Sequence, residues 1–217
     1  MHQHQLLTFA SKFELMGSPI LSEKSFSTPD YELELLCFRS PSKALRRLTD
    51  RQLEHLKQHY ITVESLRRQD LGDLDRFIQV WYRCRKDKTD FHCREYRRSN
   101  STRLNHLACI EQTVDANARF AEGVREYHPV ARYFYVYVEF YCVHTFRGKA
   151  YMLMYSSHRQ IDEHDALVED RGRGVSGFQD ITVLRHLCVK VTGHGGKVYF
   201  VDVSEVMEER LRDELMD

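Results

Sequence analysis

Proline and glycine are scarce in this chain of 217 residues, which contains four prolines and ten glycines. Collagen-like and low-complexity architectures need far more of both. Long apolar runs are missing as well, because the most apolar stretch, 133–142, is ten residues long and includes Glu139. A transmembrane helix needs about 20 residues. The first residues also lack the basic and apolar regions of a signal peptide, so we expect no membrane association.

Net charge is another absence, because 32 Lys and Arg residues balance 32 Asp and Glu residues. This balance excludes a uniformly basic coat for nucleic acid, although it does not show where the charges lie. The six cysteines are dispersed and include no C-x2-C pair, so we expect reduced thiols, typical of the cytosol or nucleus. An apolar content of 42 % is enough for a packed core.

Catalytic signatures are also missing. The sequence contains no G-x-S-x-G, no Walker A loop, no G-x-G-x-x-G and no H-E-x-x-H arrangement. The acidic, histidine-containing stretch 158–165 and the glycine-rich stretch 169–177 are therefore predicted to be solvated loops. We expect a protein that is not an enzyme, has no cofactor and takes no small-molecule substrate.

Hydrophobic periodicity predicts a chain dominated by strands. Thr49 and Gln52 have the spacing of a capping box, which predicts a helix over about 43–60. Alternation of apolar and polar residues predicts strands over 76–85, 106–114, 132–146, 149–157, 181–191 and 197–203. Arg147–Gly148 forms the predicted hairpin turn. We expect further helices over 115–127 and 204–217.

This order indicates a mainly β protein with flanking helices, because strands and helices do not alternate regularly. The predicted fold is a small OB-like barrel with five strands in a Greek key, followed by a C-terminal amphipathic helix. The predicted organisation is a flexible or partner-docked arm over 1–41, the barrel domain over 42–203 and the helix over 204–217.

The longest predicted strand has two different faces. One is apolar and consists of Phe134, Val136, Val138, Phe140 and Cys142. The other is rich in tyrosine and consists of Tyr133, Tyr135, Tyr137, Glu139 and Tyr141. Such a row suits stacking on nucleobases, a protein interface, or a second packed layer beneath a helix. The sequence leaves these three interpretations open.

Basic residues are concentrated in one segment, 83–103, where eight of them accompany three acidic residues and several aromatic side chains. Guanidinium groups beside aromatic rings are typical of a track for a phosphate backbone. The candidate nucleic-acid-binding residues are Trp81, Arg83, Arg85, Lys86, Lys88, Arg94, Arg97, Arg98, Tyr135, Tyr137 and Arg147. The alternative is a solvated charged loop.

A zinc site is a weaker alternative within the same region. Cys84, Cys93, His106 and Cys109 are residue types that bind zinc, although their spacing lacks a C-x2-C knuckle. Together with the aromatic strand VWYRC, they are similar to zinc fingers of the FLYWCH and mobile-element type. That similarity implies a binder of double-stranded DNA, whereas the absence of a terminal H-x-H departs from the pattern.

The last segment, 204–217, is amphipathic, with six acidic residues and a narrow apolar stripe. The stripe comprises Val206, Met207, Leu211 and Leu215, and it predicts a helix that docks onto a partner or closes the barrel.

The strand KVYFVDV leads directly into SEVMEERLRDELM, and in this order the chain resembles the OB-fold subunits of replication protein A and their relatives in telomere-capping complexes of the terminin type. The resemblance covers 42–217, although 83–105 is longer than the family's usual turn, which leaves the strand pairing there open. It implies a nuclear, non-enzymatic subunit that binds single-stranded DNA and partner subunits at chromosome ends. It also implies a DNA-contact surface near Trp81, Arg83, Arg85, Tyr135, Tyr137 and Arg147.

Overall fold

The computed structural model describes residues 25–28, 31, 36–86, 89–96, 106–117, 127–164 and 167–203. Its strands are β1 (Ser25–Phe26), β2 (Leu36–Pro41), β3 (Arg46–Arg47), β4 (Phe77–Lys86), β5 (Thr89–His92), β6 (Leu107–Asp115), β7 (Pro129–Phe146), β8 (Lys149–His164), β9 (Leu167–Asp180), β10 (Leu184–Thr192) and β11 (Val198–Asp202). One α-helix, α1 (Asp50–Val63), lies between β3 and β4. The protein is therefore mainly β in the part of the chain that the structure describes.

Six strands close into a barrel in the order β6-β7-β8-β9-β11-β10, and β10 returns to pair with β6. Every neighbouring pair in this ring is antiparallel. The predicted number of five strands is therefore wrong by one. An even number of strands allows complete antiparallel pairing, whereas a closed ring of five needs at least one parallel pair. A 3-10 turn, Ile181–Val183, connects β9 to β10. The β10 strand lies beside β6, the first strand of the barrel, in the manner of a Greek key.

A second layer continues from the barrel along one edge of β7. The β6 strand pairs with β7 over 129–137, and β4 pairs with the same strand farther along, at 141–143. Beyond β4 lie β2 and β1, and β5 pairs with β4 on its other edge. Phe26, Leu36 and Phe38, from the segment predicted to be an N-terminal arm, are buried in the core of this layer.

The capping box predicted for α1 is confirmed: the Thr49 side chain accepts a hydrogen bond from the Gln52 backbone, and the Gln52 side chain accepts one from the Thr49 backbone. This cap starts the helix at Asp50, so the predicted start at 43 was too early. The helix buries Leu56 and Tyr60 against the sheet. The Tyr60 hydroxyl lies 2.8 Å from Nδ1 of His144 on β7 and ties the helix to that strand.

A β-bulge at Glu139 divides β7 into two halves with opposite side-chain orientation. Val138 pairs with Ser156 and Phe140 with Tyr155, so Glu139 is the extra residue. Beyond the bulge, Tyr141 packs in the same core as Val138, whereas Phe140 packs beneath α1. The prediction of one continuous apolar face along 132–146 is therefore wrong after Glu139, because one inserted residue reverses the alternation.

The strands β8 and β9 extend through the two segments predicted to be loops. Residues 149–164 and 167–180 pair along almost their entire length, which makes the loop assignments over 158–165 and 169–177 wrong. The hairpin turn at Arg147–Gly148 is confirmed, with φ angles of 49° and 81° at the two turn residues. Both angles suit the primed turns that connect short hairpins.

Most of the predicted helix over 115–127 lies outside the described residues, as does the whole of the predicted C-terminal helix over 204–217. Within the described part, no helix has both the length and the apolar character that crossing a bilayer requires.

Candidate nucleic-acid interface

The interior of the barrel is identified by a cluster to which all six strands contribute. Its members are Leu107 and Cys109 of β6, Tyr135 and Tyr137 of β7, Ile161 of β8, Val168 of β9, Cys188 of β10 and Phe200 of β11. The alternate side chains on β10, Val189 and Val191, are 44 % and 46 % exposed and point outward. Cys188 and the residues two positions away along β10 therefore point into the barrel, because alternate side chains of a strand lie on the same face.

The tyrosine side chains of β7 occupy three environments. Tyr133 is 55 % exposed, Tyr135 is half-buried and Tyr141 is completely buried. The ring of Tyr135 stacks on that of Phe200, with centroids 4.8 Å apart and planes within 10°. Tyr141 belongs to the core beside Phe38, so it is unavailable to a ligand. Of the four tyrosines in this row, only those before the bulge are therefore at least partly exposed.

Tyr137 lies at the centre of a group of cations. Its half-buried ring has Arg94 at 5.5 Å, Arg159 at 5.3 Å and Lys190 at 5.1 Å from the centroid. The His106 ring lies 5.4 Å away. Cations within about 6 Å of an aromatic centroid are attracted to its π-electrons. The arrangement therefore combines a flat aromatic surface with three positive charges, of which Arg94 is the most exposed, its side chain being 53 % exposed.

Two of those cations share a single buried carboxylate. The Asp170 side chain is only 5 % exposed, and its oxygens accept hydrogen bonds of 2.9 to 3.0 Å from Arg159. Lys190 donates to the same carboxylate. Burial alone would raise the pKa of Asp170, but the hydrogen bonds from Lys190, Gly172 and Arg159 hold it below its usual value. Asp170 stays ionised, and the two cations exceed it by one positive charge.

Arg94 reaches Tyr137 from the segment that follows β5. Its backbone N–H donates to the Val138 carbonyl at 2.8 Å, and its guanidinium pairs with Glu139 at 3.1 Å. The bulge at Glu139 thereby positions a cation next to the tyrosine. Of the predicted residues, Arg94 and Tyr137 are brought into contact, and Tyr135 lies beside them in the barrel.

The other predicted nucleic-acid residues have different roles. Trp81 is 4 % exposed and packs against Phe26 and Phe38, so the prediction that it stacks on a base is wrong. Arg85 forms a two-pronged ion pair with Asp90, with both distances 2.9 Å. Lys86 donates a hydrogen bond to the Leu184 carbonyl, and Arg147 donates one to the Asp70 carbonyl. Arg83 lies directly opposite Arg39 of β2 in the second layer. Lys88, Arg97 and Arg98 lie outside the described residues.

The alternative zinc ligands are not brought together. Cys84 and Cys93 belong to the core beneath the second layer, whereas Cys109 points into the barrel. Burial raises the pKa of the Cys93 thiol to about 12 and that of Cys84 well above its usual value, which keeps both protonated. Within the described part of the chain, no group of three or more His, Cys, Asp or Glu side chains is placed to hold a metal ion.

Sequence reasoning missed four residues of this site: Arg159, Asp170, Lys190 and Phe200. Arg159 and Asp170 fell in the segments interpreted as loops, and their contact depends on pairing between β8 and β9. A signal for Lys190 was available, because it alternates with Cys188 in a predicted strand and therefore shares its face. The apolar partner-docking stripe at 206–215 lies outside the described residues.

No protein-family model, curated protein or solved structure matches this chain. The features that bear on function are therefore the geometry of the barrel and the chemistry of the residues around Tyr137.

Proposed function

We propose that this protein is a non-enzymatic, OB-like barrel subunit of a chromosome-end capping complex in the nucleus, and that it binds single-stranded DNA at Tyr137. The observation that carries the DNA-binding proposal is the half-buried Tyr137 ring with Arg94, Arg159 and Lys190 between 5.1 and 5.5 Å from its centre. The resemblance to telomere-capping subunits supplies the chromosome-end setting. The closed six-stranded barrel is consistent with an OB-like fold.

The aromatic ring of this surface suits the bases of single-stranded DNA, and the cations suit its phosphates. A base stacks on an aromatic face whatever its identity, and such stacking contributes about 1–3 kcal/mol per base. Arg94 has an exposed side chain that a phosphate can approach. Lys190 is one-third exposed and lies next to the same ring. An unpaired strand presents both bases and phosphates at once, whereas a duplex hides its base faces.

The test is fluorescence anisotropy with a labelled single-stranded oligonucleotide and the full chain. Tyr137→Ala should weaken binding by about 5- to 150-fold, the loss expected for one stacked base. Tyr133→Ala is the matched control, because this tyrosine is on the same strand but is 55 % exposed and has no cation over its ring among the described residues. Arg94→Gln should lower the slope of log affinity against log salt by about one.

DNA binding is refuted if the wild-type chain binds no oligonucleotide at low salt, or if both tyrosine variants bind equally well. Circular dichroism of each variant checks that the barrel has formed. A duplex of the same sequence should bind more weakly than the single strand, since only the single strand exposes base faces.

Partner binding is the second half of the proposal. We assign it to the apolar stripe of Val206, Met207, Leu211 and Leu215, because the last three recur every four residues, a spacing that suits docking into a helical bundle. Leu211→Asp should reduce recovery of the complex with its companion subunits and leave oligonucleotide affinity unchanged. If the variant retains its companions, the stripe is not the docking surface.

A pure assembly module is the second candidate function. Its support is the exposed apolar surface on the outside of β10, where Val189 and Val191 are 44 % and 46 % exposed, together with the exposed ring of Tyr133. Under this alternative, Tyr133→Ala and Val191→Asp weaken complex formation. Tyr137→Ala leaves the affinity of the complex for nucleic acid unchanged, because other subunits bind it.

A further inference from the structure

A polar row crosses four strands of the second layer, away from the interior of the barrel. Ser25 of β1 pairs with Arg39 of β2, Arg39 pairs with Arg83 of β4, and Arg83 pairs with His92 of β5. Directly opposed residues in a sheet point to the same side. The adjacent row, one residue along each strand, consists of the core residues Phe26, Phe38, Cys84 and Phe91. The polar row therefore faces away from that core.

Two arginines thus lie directly opposite each other, which is an unfavourable arrangement for like charges. Both Nε atoms, of Arg39 and Arg83, are buried and have no hydrogen-bond acceptor among the residues that the structure describes. A buried donor without an acceptor costs stability, and native structures rarely leave one without a reason. Arg39 and Arg83 form no ion pair with any carboxylate in the part of the chain that the structure describes.

The nearest carboxylate is already engaged. Asp90 accepts two hydrogen bonds of 2.9 Å from Arg85, one on each oxygen. Among the described residues, three arginines, at positions 39, 83 and 85, therefore lie around this one carboxylate, which leaves a surplus of two positive charges. This surplus lies at the row of Arg39 and Arg83.

A cavity of about 320 Å³ opens at this place and is lined by Ser25, Arg39, Ser40, Pro41 and Arg83. Ser40 has a φ of 58°, a conformation that a residue other than glycine seldom adopts, at the point where β2 passes the cavity. The guanidinium of Arg83 lies 5.8 Å from the centre of the Tyr96 ring. That ring packs against His92, with centroids 4.6 Å apart, and limits the positions open to Arg83.

We propose that this cavity is a binding site for a phosphate group, held between the guanidinium groups of Arg39 and Arg83. A doubly charged oxyanion would cancel the local surplus and provide acceptors for both buried Nε–H groups. Arginine forms two parallel hydrogen bonds to phosphate, which a pair of opposed guanidinium groups can provide from two sides. The proposal does not depend on DNA binding at Tyr137, because it uses different residues in a different layer.

The site would accept the same chemistry from two sources, a free phosphate or the backbone phosphate of a nucleic acid. The cavity holds more than one water-sized molecule, so a substituent on the phosphate has room beside the anion. Ser25 and Ser40 also line the cavity, which makes its wall polar.

The direct test is titration of the full chain with inorganic phosphate, at constant ionic strength maintained with sodium chloride, followed by calorimetry and thermal melting. The wild-type chain should bind phosphate and melt at a higher temperature as phosphate replaces chloride. Arg39→Gln and Arg83→Gln should each weaken phosphate binding at least tenfold. Arg51→Gln removes an equal charge from the exposed face of α1 and should leave binding unchanged.

Two further measurements distinguish a specific phosphate site from non-specific attraction by positive charge and from misfolding of the variants. Arg83→Lys keeps the charge but loses the planar guanidinium, so it should weaken binding almost as much as Arg83→Gln. Without phosphate and at low salt, Arg39→Gln should melt at or above the wild-type temperature, because it relieves the repulsion between opposed cations. Equal stabilisation by phosphate and chloride would overturn the proposal, as would Arg39→Gln and Arg83→Gln binding like Arg51→Gln.

Competition with an oligonucleotide identifies the source of the phosphate. Displacement of phosphate by single-stranded DNA supports a backbone phosphate, and simultaneous binding of both supports a free phosphate; each outcome keeps the site. Tyr137→Ala should leave phosphate binding unchanged in either case. Failure at Tyr137 and failure at the arginine pair are thus separately visible.

Discussion

The two halves of β7 are chemically similar in sequence and opposite in environment. Before the bulge at Glu139, the strand borders the barrel interior, where Tyr135 and Tyr137 are half-buried beside charged groups. After the bulge, residues 140–144 are buried on both faces, between the main core and the layer beneath α1. Covering elements, and not residue type, therefore decide whether an aromatic side chain on this strand is buried in a core or stays partly exposed.

Tyr137 and Tyr141 illustrate the difference most directly. They are four residues apart and would share a face on a regular strand, yet Tyr141 is completely buried next to Phe38. The Tyr141 hydroxyl has no hydrogen-bond partner among the described residues. Burial of Lys190 acts to lower the pKa of that lysine, but a hydrogen bond to the Tyr137 hydroxyl helps to raise it. One tyrosine therefore contributes packing alone, and the other is part of a polar network.

Deletion of Glu139 should have the largest effect. Removing the bulge residue would reverse the orientation of every side chain from Phe140 onward and exchange the residues of two cores. We expect loss of the folded state, measured as loss of the cooperative melting transition by circular dichroism. Glu139→Ala is the control, since it removes only the exposed ion pair with Arg94 and should melt within a few degrees of the wild type. A cooperative transition in the deletion variant would refute the two-core description.

Truncation of Tyr141 should have the next largest effect. Tyr141→Ala leaves a cavity in a close-packed core and should reduce the free energy of unfolding by about 3–5 kcal/mol. Tyr133→Ala, at a position 55 % exposed before the bulge, should change it by less than about 0.5 kcal/mol. Urea denaturation measures both. Similar losses at the two positions would remove the contrast between the halves.

Acidification should destabilise the half that follows the bulge. Burial lowers the pKa of His144, and the neutral ring is satisfied there, since Nδ1 accepts from Tyr60 and Nε2 donates to the Asp75 carbonyl. Burial also lowers the pKa of His59, on the buried face of α1. The unfolded chain takes up protons near pH 6.5, so stability is fully present above that pH and falls as the pH drops below it.

The measurement is the melting temperature between pH 8 and pH 5, expected to fall on the acidic side. His144→Gln should lower stability at neutral pH but flatten the acidic decline, because a group that titrates has been removed. An unchanged acidic slope in His144→Gln would assign the decline to other histidines.

The smallest expected effect is that of Tyr141→Phe. The substitution removes a buried hydroxyl that has no partner among the described residues, and it keeps the ring that fills the core. We expect stability equal to the wild type or higher by up to about 1 kcal/mol. A clear loss by urea denaturation would show that the hydroxyl is hydrogen-bonded in solution.

The sequence predicted those elements whose signals are local. The alternation in 76–85 and 149–157 identified β4 and the start of β8, and the pair Thr49 and Gln52 identified the cap of α1. The chain also indicated a strand-rich barrel, because strands and helices do not alternate regularly along it. Element types were therefore more predictable than the faces they present.

The remaining features depend on partners far along the chain. The charge on Arg159 favours a loop when considered alone, but on the neighbouring strand it meets Asp170, a contact that only the pairing of β8 with β9 creates. The bulge at Glu139 has no signature in its own residue type. Trp81 was a candidate for contact with nucleic acid, but β4 is covered on both faces near its centre.

The shared edge of β7 has a consequence for self-association. Its backbone groups along one side are divided between β6 and β4, and the strands of the barrel are all paired in a ring. Among the described strands, β9 pairs with β11 only at 168–169, so the rest of its length, 170–180, pairs with β8 alone. A strand edge of this length is a template for another strand unless charged side chains disfavour the pairing, and Arg171 and Arg173 are exposed along it. Copies concentrated at one place would therefore repel each other along this edge, and partners must be selected by side chains.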